Sequence, residues 1–183
     1  MKLDKLIVLA RAGYDLLVKG ASNLQSPLLL VIRLYWGWQF FLSGKGKLED
    51  LSGPTEFFTT LGIPFPAFSA ALAGTTECVG GLLLLIGLAS RLVTIPLIVT
   101  MLVAYITADR EALTSIYSDP DKFLGATPFL FLFASVLIFV FGPGAFSVDR
   151  LVGRKVTAIA DHAAQKQEPA KPFVHGSTRA IAH

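Results

Sequence analysis

The chain has 183 residues, 53% of them apolar and only 16% charged, with 16 Lys or Arg against 13 Asp or Glu and a formal net charge of +3. Soluble domains run at about 45–50% apolar and about 25% charged, so this balance, with charge gathered at the ends and in short loops, excludes a conventional water-soluble domain and points to lipid as solvent. Outside the flanks of the apolar segments there is no basic stripe with interleaved aromatics, which argues against a nucleic-acid partner, and Cys78 as the sole cysteine excludes an intramolecular disulfide or a C-x-x-C pair.

Residues 1–26 are predicted to form an amphipathic helix lying in the membrane interface. Leu3, Leu6, Ile7, Ala10, Tyr14 and Leu17 share one helical face, opposite Asp4, Lys5, Arg11, Asp15 and Lys19. A signal peptide is the rival reading, but Asp4, Arg11 and Asp15 interrupt its apolar stretch and no clear cleavage site follows. Residues 27–149 are then predicted to hold four spans. The first runs from Pro27, suited to a first helical turn, to about Ser43 and carries one charge, Arg33. The second, Phe65 to Leu88, carries only Glu77; the third, Leu92 to Ala108, carries no charge and is bent or interrupted at Pro96. The fourth, Phe123 to Phe141, is rich in Phe and stops at Gly142-Pro143-Gly144. At 1.5 Å per residue these lengths approach the ~30 Å hydrocarbon thickness, the first and third being short.

Residues 150–183 are expected to form a polar tail: one short surface helix on Leu151, Val152, Val156 and Ile159, then a disordered end around Pro169 and Pro172. His162, His175 and His183 in this tail lack metal-ligand spacing and are read as solvated, so no metal is expected. The segments on one side of the predicted spans carry eleven Lys or Arg, whereas the two opposite loops carry four against seven acids. The positive-inside rule then places both termini in the cytoplasm, in agreement with four crossings.

Glu77 lies about 18 Å along its helix from Phe65 and about 17 Å from Leu88, near the bilayer midplane. A charge there costs at least ~2.5–3.5 kcal/mol, so it is expected to be paired, protonated or facing a polar cavity. Arg33 is the expected partner, its backbone differing in depth from that of Glu77 by roughly 8 Å. Lys47, and after it Lys45, is expected to reach in only if Gly44 to Leu48 folds back as a re-entrant segment. Gly74, Glu77, Gly80 and Gly81 share one stripe of the second span, and Arg33, Gly37, Phe40 and Gly44 one stripe of the first, an arrangement that lets backbones approach closely. The candidate site is therefore a buried charge pair or ligand pocket of Arg33, Glu77, Lys47, Trp36, Gly37 and Gly81. It reads either as a lock between helices or as a functional pocket. Trp36 and Trp38 either wall a pocket for a flat ligand such as a quinone or pack against lipid and core, and Cys78 is expected as a small buried packing residue. No nucleophilic triad, phosphate loop, catalytic carboxylate pair or haem motif is present, so no residue is designated catalytic.

These motifs resemble the DoxX family of integral membrane proteins. The resemblance covers about Leu30 to Asp149. It rests on Arg33, on the run Gly37-Trp38-Gln39-Phe40-Phe41-Leu42-Ser43-Gly44-Lys45-Gly46-Lys47-Leu48, on Gly62-Ile63-Pro64-Phe65-Pro66, on Glu77-Cys78-Val79-Gly80-Gly81 leading through Gly87 to Arg91, and on the run from Gly142 to Asp149. The resemblance implies an all-α, four-helix transmembrane bundle in a bacterial inner membrane. It also implies an association with thiosulfate-to-quinone oxidoreduction or with membrane complexes that link thiol metabolism to oxidative-stress defence. The expectation that follows is an accessory or structural subunit of a membrane redox complex, with lipid and protein partners and quinone as the candidate cofactor. From the buried charges comes the alternative of a small-molecule or proton-coupled transporter in which Glu77 titrates beside Arg33.

Overall fold

The computed structural model describes residues 2–167, and every element among them is helical. The chain divides into residues 1–150 and residues 151–183. In the first unit, α1 (Lys2–Glu49), α2 (Ser52–Thr60), α3 (Pro66–Ile86), α4 (Ser90–Thr107), α5 (Arg110–Thr114), α6 (Pro120–Gly125) and α7 (Thr127–Phe141) follow one another through short turns. α8 (Val148–Gln167) begins in this unit and supplies the described part of the second, where Leu151, Val152, Val156 and Ile159 are exposed, as are Arg154 and Lys155. The side chain of His162, and all of His175, His183, Pro169 and Pro172, lie outside the described residues.

The expectation of a separate helix over residues 1–26 followed by a span from Pro27 is corrected: α1 is one helix of 48 residues with Pro27 inside it. Pro27 removes only one i→i−4 bond, from its own nitrogen to the carbonyl of Asn23, and its neighbours Leu28, Leu29, Leu30 and Ile32 favour continuation. At about 72 Å, α1 exceeds any bilayer core. Among the described side chains, those before Ser26 are all exposed, whereas from Leu29 to Gly44 every third or fourth residue is buried. The predicted fourth span is also revised. It breaks at Ala126, which is extended at φ −64° and ψ 135°, because Pro128 lacks the N–H that would continue the helix, leaving α7 with 15 residues. The Tyr105 hydroxyl donates to the Phe123 carbonyl at 2.8 Å beside this break. α3 and α4 are long and apolar enough to cross a membrane; α7 is apolar but shorter, and Arg33 and Gln39 dilute the apolar part of α1.

α1 packs along α3, α3 on α4 and α4 on α7. The core between them consists of Phe40, Leu84, Leu97, Met101 and Ile138, flanked by Ile32, Val93, Phe131 and Leu132. Large apolar residues also face outward on α3, α4 and α7, among them Leu82, Ile95, Val99, Leu102, Phe133 and Val140. A water-soluble monomer rarely shows so extensive an apolar exterior; a bilayer or another subunit covers such a surface.

Candidate functional site

The positions of Gly37, Gly81, Glu77 and Lys47 follow from the contact between α1 and α3. Gly37 and Gly44 on α1 are seven residues apart, as are Gly74 and Gly81 on α3, and running antiparallel they interlock. A Cβ at Gly44 would sit 2.2 Å from the Cys78 nitrogen and 2.5 Å from the Gly74 oxygen. One at Gly81 would sit 2.4 Å from the Phe41 nitrogen and 2.6 Å from the Gly37 oxygen. The two backbones therefore touch, as small residues permit within membranes. Gly80 belongs to a different contact: a Cβ there would stand 3.0 Å from the Leu97 side chain of α4.

This register sets Glu77 opposite Ser43 and Lys47, and it sets Arg33 beneath Gly87. The Lys47 ammonium bonds directly to the Glu77 Oε2. Ser43 donates to the same oxygen at 2.8 Å, and Lys47 also donates to the Ser43 hydroxyl at 2.9 Å. Glu77 is 2% exposed, whereas the Lys47 side chain keeps 27% of its surface open. The expectation that Arg33 pairs with Glu77 is thereby corrected. Arg33 lies ten residues, or about 15 Å of helix rise, from Ser43, the residue facing Glu77. Lys47 needs no re-entrant fold to reach Glu77, because α1 stays helical through Glu49 and Ser43 and Lys47 stand one turn apart on the same face.

Arg33, itself 2% exposed, serves the loop after α7. Its guanidinium donates to the Pro143 carbonyl at 2.8 Å and the Phe146 carbonyl at 2.6 Å. Gly87, at φ +70°, leaves room for it: a Cβ there would stand 2.5 Å from the Arg33 Nη1. The carboxylate of Asp149 acts on Arg33 through space while capping α4, accepting from the Ala89 N–H at 2.6 Å and the Ser90 N–H at 2.9 Å. Ala89 holds a left-handed conformation at φ 49°, a strain of about 1–2 kcal/mol that these charge-assisted bonds offset. Trp36 is half-buried and meets the Phe131 ring edge-on at 4.9 Å, Trp38 is exposed, and Cys78 is half-buried against Gly44, less enclosed than expected. Gly37 and Gly81 belong to the helix contact itself.

Sequence reasoning missed Ser43 and the capping role of Asp149. The matched seven-residue glycine spacings were the available signal for the first: superposed antiparallel, they place Glu77 level with Phe41, within one helical turn of Ser43. Nothing local marks Asp149, since its partners are 59 and 60 residues away. Among the described residues no group of His, Cys, Asp and Glu is arranged to hold a metal.

An all-helical chain with two helices fit to cross a bilayer, an apolar exterior and charges buried between its helices defines a helical membrane protein. The DoxX family model matches residues 28–110. "Uncharacterized membrane protein Rv3486" of Mycobacterium tuberculosis is 32% identical over 145 residues, which cover 72% of this chain and 85% of that protein. "Putative oxidoreductase CatD" of Bacillus subtilis is 32% identical over 56% of this chain and 86% of its own length. "Inner membrane protein YqjF" of Escherichia coli is 27% identical over 73% of this chain and 98% of its own length. The chain belongs to the DoxX family. No solved structure matches it significantly.

Proposed function

We propose that the chain spans the inner membrane four times, through residues from about Pro27 on α1, α3, α4 and the α6–α7 segment, with both termini in the cytoplasm, and serves as an accessory subunit of a quinone- or thiol-linked redox complex. The observation that carries this reading is that both buried charges are spent inside the fold: Glu77 on Lys47 and Ser43, Arg33 on two loop carbonyls. Such a core holds helices in register and leaves the chemistry to another subunit. The broad apolar exterior of α3, α4 and α7 offers that subunit a seat, and the naming of the Bacillus relative as an oxidoreductase supports a redox setting. Purification from native membranes in mild detergent, with mass spectrometry of co-eluting proteins and extracted quinones, tests it. Stoichiometric oxidoreductase subunits are the expected result; a chain that elutes alone, free of redox partners and quinone, would overturn it.

One observation favours a second reading, a proton-coupled transporter. Lys47 connects the buried Glu77 to the outside of the fold, which is the layout of a group that exchanges protons with one side. Proteoliposome flux abolished by Glu77→Gln would support it, and unchanged flux would sink that mechanism.

A further inference from the structure

Away from the Lys47–Glu77 network, two hollows in the first unit abut. One is a chamber of about 500 Å³ between Gln25 and Ser26 of α1, Ala89 and Arg91 at the start of α4, and the loop Gly142–Ala145. The other, about 250 Å³, is a groove between α1 and α7 walled by Ala21, Leu24, Leu28, Ile32 and Leu137. Gln25, Leu29 and Phe141 line both, so a polar end passes directly into an apolar one.

The charge at the polar end is positive. Arg91 and Arg150 both line the chamber and both are exposed. Arg91 donates once, to the Val140 carbonyl at 3.2 Å, and keeps the rest of its five-donor fork. The carboxylate on the same wall, Asp149, has both oxygens engaged by the N–H groups of Ala89 and Ser90 and stands under the influence of Arg33. A chamber of this volume accommodates a ligand head, since small-molecule sites occupy about 300–1,000 Å³. A soluble anion has no use for the groove, and a neutral lipid has no use for two arginines. A molecule with one anionic phosphate and a long apolar chain uses both.

We propose that this composite hollow binds one anionic phospholipid, its phosphate between Arg91 and Arg150 and one acyl chain in the groove between α1 and α7. Cationic pockets between membrane helices recognise such head groups in the same way. The site is independent of the redox reading.

The test uses the full chain in a mild non-ionic detergent, stripped of lipid and re-exposed to mixed micelles of phosphatidylglycerol or phosphatidylcholine with identical acyl chains. Bound lipid is counted by native mass spectrometry, and the melting temperature of each variant is followed in the same detergent. One phosphatidylglycerol is expected to bind at least tenfold more tightly than phosphatidylcholine. Arg91→Gln and Arg150→Gln should each weaken it about fivefold, leaving phosphatidylcholine unchanged. Leu28→Trp, which fills the groove from an exposed position, should weaken both lipids. Glycerol phosphate, a head without a chain, should not displace the bound lipid; if it does, the site is one for a free anion and the proposal falls. Equal binding of the two lipids, or phosphatidylglycerol binding untouched in Arg150→Gln, would overturn it as well. Arg150 makes no side-chain hydrogen bond among the described residues, so its substitution probes charge in a folded protein.

Discussion

The carboxylate of Glu77 is affordable in a core only because two donors meet it, and the consequences of removing either party are unequal. Glu77→Ala leaves an ammonium without its partner and should destabilise the chain by about 2–3 kcal/mol, less than the ~3–5 kcal/mol of a fully buried broken pair because Lys47 retains an opening to solvent. Replacing both as Lys47→Met with Glu77→Leu should recover most of that loss, since packed apolar side chains substitute for an ion pair without a desolvation cost. Thermal or denaturant unfolding in detergent measures both, and a double variant as unstable as Glu77→Ala would show that the pair does more than join α1 to α3. Glycines in α1 separate in the same assay. Gly44→Ala drives a methyl into the α3 backbone and should cost about 1–3 kcal/mol. Gly46→Ala meets nothing and should gain about 0.5–1 kcal/mol from reduced backbone freedom in the unfolded chain.

α4 has no cap of its own: its first residues are bonded by Asp149, which the chain delivers only after completing α7. Asp149→Ala should therefore cost about 1–2 kcal/mol, visible as faster hydrogen exchange at Ala89, Ser90 and the first turn of α4, and an unchanged exchange pattern there would refute the capping role. Among the described residues, the charge tie between α5 and α6 is the pair of Lys122 and Glu111 at 2.9 Å. That bond holds the Glu111 carboxyl below its usual value of 4.5 and the Lys122 ammonium above its usual 10.5. Its contribution is complete between those values. It fades as pH falls below 4.5 through the depressed value of Glu111, and as pH rises above 10.5 through the raised value of Lys122. Both groups are exposed, so the expected readout is local: protection factors in α5 and α6, each exchange rate taken relative to its intrinsic value at that pH, that fall at either extreme, and protection that no longer changes with pH in Glu111→Gln from neutral pH down.

For the molecule as a whole, the proposed four crossings would place the α5–α6 connection and the start of α8 on opposite sides of the membrane. In a Cys78→Ser background, a cysteine at Ser118 should react with an impermeant maleimide from outside intact cells, and one at Ala160 should react only after lysis. Labelling of both from the same side would overturn the four-span reading. The helix α1 adds a further consequence at this scale. Because it is continuous through Pro27, an interfacial position for residues 1–26 requires a bend at the single hydrogen bond that Pro27 removes.

Much of this protein is legible along the chain because hydropathy and charge are local properties. Composition alone identifies lipid as the solvent, the apolar windows locate α3 and α4 to within two residues, and the sparse intramembrane charges single out Arg33, Glu77 and the neighbourhood of Lys47. Periodicity cannot say where one helix slides against another, and here that sliding decides the site. Interlocked glycines set Gly37 against Gly81 and Gly44 against Gly74, which gives Glu77 to Lys47 and Ser43 and sends Arg33 to the carbonyls of Pro143 and Phe146. A buried charge takes the partner that packing brings within about 3 Å, and steric contact between backbones is fixed only once α1 and α3 are side by side.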